Sequence, residues 1–137
     1  MSTIDLPLPP SVNRLWRSNR GRVHRAPRYL SWLKAAGWEL VTQRPERLAG
    51  SVRVNISAGR PDRRRRDVDN LGKALLDLLT KHEVIQDDSC VVSITCGWDD
   101  DVAAACTSKC GVAGLRRNAR VRVRMGSDIV RSLCRKP

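Results

Sequence analysis

The chain has 137 residues, enough for one domain that buries a core without disulfides or metals. Its 26 lysines and arginines stand against 14 aspartates and glutamates, a formal charge of +12, which points to a polyanionic partner: nucleic acid ahead of an anionic membrane. There is no apolar run long enough to span a bilayer. The opening MSTIDLPLPPSVNRLW also lacks the basic start and unbroken apolar core of a signal peptide, so a cytosolic place is expected, at the nucleoid for a bacterial or phage chain.

Ile4, Leu6 and Leu8 alternate with Asp5 and Pro7, a short strand that ends at Pro9-Pro10. Residues 11–28, SVNRLWRSNRGRVHRAPR, are basic and contain Gly21 and Pro27, which reads as an exposed loop. A helix follows from Tyr29 to about Gln43, with Leu30, Leu33, Trp38 and Val41 facing inward and Gly37 as its weak point. After the turn PERLAG, the alternation of Val52, Val54, Ile56 and Ala58 predicts a second strand that leads to the run Arg63-Arg64-Arg65-Arg66.

Leu71, Ala74, Leu75 and Leu78 fall at i, i+3, i+4 and i+7, the apolar stripe of a second helix, with Asp69 or Asn70 as its N-cap. HEVIQDDS reads as a turn. Val92, Ile94, Cys96 and Trp98 alternate in a third strand, and Val121, Val123 and Met125 alternate with arginines in a fourth. The link 99–118 is long for a hairpin and reads as an atypical insertion, and 127–137 as a flexible tail. The expected architecture is a single α+β domain over 1–137, with a mixed sheet of four or five strands and two main helices.

Asp67 and Asp69, two apart in extended chain, put both carboxylates on one face, within reach of one cation. Lys73 follows Asp69 by one helical turn, and a second acidic pair, Asp87-Asp88, comes just before the third strand. Carboxylates without neighbouring His or Cys are hard ligands that select Mg²⁺, or Mn²⁺ in its place, over zinc. Three carboxylates, a lysine and flanking arginines are the apparatus of phosphodiester hydrolysis. The bland reading makes Asp69 a helix cap, Asp67 an arginine partner and the arginine run a solvated patch. The conjunction of all these residues outweighs it. His24 and His82 read as a loop residue and a residue at a helix C-terminus, neither of them catalytic. The tryptophans Trp16, Trp32, Trp38 and Trp98 read as core or interface residues. The five cysteines read as free thiols, because Cys96 and Cys134 complete no zinc-finger spacing around the Cys106/Cys110 pair.

The segments LPLPPSVNRLWRSNRGRVH and DRRRRDVDNLGKALLDLLTKHEVIQDDSCV resemble the RusA family of Holliday junction resolvases in order and spacing. The resemblance implies a Mg²⁺-dependent endodeoxyribonuclease, a homodimer that nicks a four-way junction symmetrically and takes no small-molecule cofactor. Carried over by position, Asp67, Asp69 and Asp88 are the metal-binding catalytic acids and Lys73 is the essential lysine. Asn13, Arg14, Arg17, Arg20 and Arg22, together with Arg63, Arg64, Arg65 and Arg66, fall on the DNA side. The pattern departs from the family after Trp98. Two alternatives stand beside this reading: a branched-DNA-binding protein without nuclease activity, and a nuclease for flaps or forks.

Overall fold

Chain order gives β1 (Ser2–Pro7), β2 (Trp16–Asn19), β3 (Arg22–Arg25), α1 (Pro27–Gln43), β4 (Val52–Ala58), α2 (Gly72–Lys81), β5 (Val91–Trp98) and β6 (Arg120–Ser127). The computed structural model describes residues 2–10, 16–60, 67–99, 101 and 119–127, without the side chains of Trp16 and Asp69. One mixed sheet has the order β1-β6-β4-β5, and β2 and β3 form a separate two-stranded ribbon. β6 runs antiparallel to both β1 and β4, whereas β4 and β5 are parallel. Parallel neighbours need a crossover, and α2 supplies it. The α+β class and the mixed sheet with two helices are therefore as expected.

Register explains which face is buried. Ile4 lies opposite Val123, which lies opposite Ile56; Leu6, Val121 and Ala58 line up in the same way. All six are at most 1% exposed, so one face of the sheet is dry. Their neighbours along the strands, Asp5, Arg122 and Ser57, make a polar row on the other face, where Arg122 Nε donates to Asp5 at 2.8 Å. On the dry side lie Tyr29, Trp32, Leu33, Ala36 and Leu40 of α1 and Ala74, Leu75, Leu78 and Leu79 of α2, in one continuous core. Burying each large aliphatic side chain of this kind contributes roughly 1.5–3 kcal/mol.

Several local expectations are corrected. The basic segment before α1 is no plain loop, because residues 16–25 make a hairpin that turns at Arg20 (φ 49°) and Gly21 (φ 76°). Positive φ at both central residues is the type I′ turn that matches strand twist. α1 starts at Pro27 rather than Tyr29, with proline in its first turn, where the missing N–H has no helical partner to lose. Its buried stripe contains Leu33 as predicted, but Leu30, Trp38 and Val41 point outward at 48%, 76% and 58% exposure. Beside Tyr29, Trp32, Leu33 and Leu40, the inward places go to the small residues Ala36 and Gly37, and α2 ends close to the latter. A Cβ on Gly37 would stand 2.7 Å from Nε2 of His82. His82 is the C-cap of α2, as its position suggested.

Trp32 is core and its indole N–H donates to the Pro7 carbonyl at 2.9 Å, Trp38 is exposed, and Trp98 is partly buried. Cys90 and Cys96 are thiols outside any disulfide. The other three cysteines, the link beyond Asp101 and the tail beyond Ser127 lie outside the described residues. Among the described residues no helix is long and apolar enough to cross a membrane.

Candidate active site

The edge of the sheet formed by β4 and β5 sets the frame. Where these strands end, Asp99 N–H donates to the Ala58 carbonyl at 2.8 Å, and the Arg60 guanidinium lies over the Trp98 ring, 5.8 Å from its centroid. This cation–π contact ties the chain leaving β4 to the end of β5. Periodicity gave no sign of it, since Arg60 belongs to no regular element. The arginine run 63–66 then lies outside the described residues, as do Asn13 and Arg14.

The chain returns at Asp67, which is exposed, while Val68 packs against the core. Asp69 opens a 3-10 turn, Asp69–Leu71, that runs directly into α2. Leu71 N–H donates to the Val68 carbonyl at 3.2 Å. This corrects the cap assignment: Leu71 occupies the N-cap position of α2, and no side chain caps it. A tight turn leads into the helix where a side-chain cap was expected.

Gly72 is the point of closest approach, since a Cβ there would meet Cδ1 of Ile94 at 3.1 Å. The start of α2 therefore lies on the middle of β5, with Lys73 exposed immediately after the contact. A substitution at Gly72 would require the Ile94 terminal methyl to give by a few tenths of an ångström.

The second acidic pair has a defined division of labour. Asp87 has extended backbone and caps the 3-10 turn Asp88–Cys90, its carboxylate accepting from Ser89 N–H at 2.8 Å. The backbone N–H and hydroxyl of Ser89, and after them the Asp88 carboxyl, hold the Asp87 carboxyl below the usual carboxylate range. Asp88 is the exposed first residue of that turn, and the turn packs against α2. Ile94 is three residue steps, roughly 10 Å of extended chain, beyond Val91, so both acidic segments flank the same half of β5.

Among the described residues, no three His, Cys, Asp or Glu side chains gather to hold a metal ion; Asp69, half of the D-x-D pair, has its side chain outside them. The donor chemistry nonetheless fits a hard divalent cation, because both flanking segments offer carboxylates and neither contains a histidine. His82 caps the far end of α2, and His24 is on the hairpin.

The hairpin carries the described part of the predicted DNA side. Arg17 lies opposite His24 and Asn19 opposite Arg22, so these four share one face, with Arg20 at the turn; all five are exposed. The sequence signal for this ribbon was the tetrapeptide NRGR, a two-residue turn with glycine at its second central position.

The family model of endodeoxyribonuclease RusA matches residues 7–124, and the chain belongs to that family. It is 44% identical over 96 residues to the crossover junction endodeoxyribonuclease RusA of Shigella sonnei, covering 66% of this chain and 76% of the relative. The protein of the same name from Escherichia coli strain K12 is 42% identical over 97 residues, and that of Aquifex aeolicus 37% over 90 residues. The family match runs on through most of β6, beyond Trp98 where the resemblance read from the sequence stopped.

Proposed function

We propose that this chain is a Mg²⁺-dependent endodeoxyribonuclease that resolves four-way DNA junctions by paired symmetric nicks, working as a homodimer in DNA recombination and repair. The observation that carries the reading is the position of the motif: Asp67, Lys73 and Asp88 are exposed on segments flanking the same half of β5 in a chain of the RusA family. Asp67, Asp69 and Asp88 are the carboxylates that would hold Mg²⁺, with Mn²⁺ able to substitute. When bound, the metal supplies charge neutralisation at the phosphate and activation of the attacking water.

The protein's own groups do the rest. Asp87, committed to Ser89 N–H, holds the turn that presents Asp88. Lys73 places a compact ammonium beside the D-x-D segment, where negative charge grows on the phosphoryl oxygens as the P–O bond breaks. Arg63, Arg64, Arg65 and Arg66, with Asn13, Arg14, Arg17, Arg20 and Arg22, grip flanking phosphates, the guanidinium forks fixing the orientation of the strand. The test is incubation with a synthetic four-way junction, a flap and a plain duplex, with and without Mg²⁺. Metal-dependent nicking confined to the junction is expected. Binding without nicking would make the chain a branched-DNA-binding protein, and preferred cutting of the flap would make it a different nuclease.

A further inference from the structure

The core helices pack on the dry side of the sheet, and its other face has a distinct chemistry. The alternate residues facing out from the middle of β4, β5 and β6 are arginine, asparagine, serine, threonine or glycine, with no apolar and no acidic side chain among them. One register row crosses all four strands as Thr3, Arg124, Asn55 and Thr95, every one of them exposed. In the next row Arg53 is exposed opposite Gly126, which sets no side chain beside it. Arg53 and Arg124 are thus diagonal neighbours, roughly 7–8 Å apart. Two guanidinium groups so placed repel, and an anion between them relieves that repulsion. The carboxylates close by, Asp5 on β1 and Asp99 just beyond β5, both bear on Arg122.

This composition selects the partner. A protein interface has an apolar, aromatic core, which this face lacks. Pairing the face with its own copy would set like charges together. Without an aromatic ring it offers no platform for unpaired bases. Arginine, serine, threonine and asparagine side chains are instead the donors that take phosphate oxygens, positioning a duplex without reading its sequence. We propose that this sheet face is a second DNA surface, which holds the phosphate backbone of a junction arm other than the one being cut.

β5 separates the two surfaces. Ile94, on which α2 begins at Gly72, is level with Val54 on the dry side, whereas Ser93 and Thr95 point to the polar face. The D-x-D segment and the arginine pair therefore lie on opposite sides of one edge strand. A linear duplex engages one side at a time, while the diverging arms of a junction reach both. The inference rests on the nuclease reading above for its substrate, and it adds a source of preference for branched over linear DNA.

Fluorescence anisotropy in EDTA, which holds cleavage off, tests this with a four-way junction and with a linear duplex of one arm. Arg53→Gln/Arg124→Gln removes two charges from the face, and Lys34→Gln/Lys81→Gln removes two from the α1 surface as a control. The arginine variant should bind the junction at least about tenfold more weakly, with a salt slope flatter by about 0.9 for each phosphate lost. Its loss on the duplex should be much smaller, and the lysine variant should match the wild type. Unchanged junction affinity, an equal loss on the duplex or an equal loss in the lysine variant would overturn the proposal. If the arginine variant loses its far-UV spectrum, phenylglyoxal modification of the wild type decides. Shielding of Arg53 and Arg124 by the junction but not by the duplex supports the proposal, and any other pattern overturns it. Nicking with Mg²⁺, assayed in parallel, keeps the two readings apart. A protein that nicks junctions without using this face retires only the second surface, and one that binds through it and never nicks retires only the nuclease reading.

Discussion

Asp87 and Asp88 are neighbours, both exposed, and the structure gives them different tasks. The Asp87 carboxylate is engaged by Ser89 N–H and sits below its usual range, whereas Asp88 opens the turn that this capping bond fixes. Asp88→Asn, Asp67→Asn and Asp69→Asn are each expected to abolish cleavage while leaving junction binding within a few-fold, since arginines supply the affinity. Asp87→Asn should keep cleavage, because asparagine caps as well as aspartate. Gel-shift titration beside a cleavage time course checks both, and full cleavage by Asp88→Asn with none by Asp87→Asn would exchange their roles. At Lys73, alanine should remove far more turnover than binding and arginine should restore little, because a planar fork spreads the charge that a compact ammonium concentrates. Single-turnover rates at saturating protein isolate this step. A loss below about tenfold, roughly 1.4 kcal/mol of barrier, would leave Lys73 as a surface helix residue.

The elements fold around a close contact that composition alone conceals. α1 and the end of α2 approach at Gly37 and His82, so Gly37→Ala should destabilise the wild type by forcing the imidazole aside. In a His82→Ala background the same change should stabilise by about 0.5–1 kcal/mol, the helix-propensity difference between glycine and alanine. Urea denaturation of the four proteins measures this coupling, and equal effects in both backgrounds would dismiss the contact. The same residues explain what was legible in the sequence. The strands β4, β5 and β6 and the Leu71–Leu78 stripe of α2 could be read because one apolar face repeats at the period of the element. The face of α1 could not, since two of its inward places are taken by the small Ala36 and Gly37 while the larger Leu30, Trp38 and Val41 face water. The hairpin was hidden for a related reason: both of its faces are exposed, so no alternation marks it. For the site, the D-x-D-N, lysine and D-D spacing was visible as a motif. The 3-10 turn that displaces the expected cap was not, because it depends on how Val68 packs.

At the scale of the whole molecule, a charge of +12 should govern encounter with DNA. Junction affinity should fall steeply with salt, and replacing Arg64 and Arg65 by alanine should flatten the slope of log K against log [salt] by about 0.9 for each phosphate no longer neutralised. An unchanged slope in a salt titration would mean that these two side chains face away from the backbone. Charge brings the substrate in, but the central claim concerns what happens afterwards: two identical sites cut one junction symmetrically. A supercoiled plasmid with an extruded cruciform reads this directly, because the cruciform persists only while supercoiling does. Paired nicks made within one binding event linearise the plasmid, whereas a single nick relaxes it, and the cruciform is reabsorbed before a second cut. With Mg²⁺ present, linear plasmid is the predicted product from the outset of the time course, with nicks on opposite strands at equal distances from the crossover. Nicked circles as the sole product, or an intact plasmid, would contradict the account.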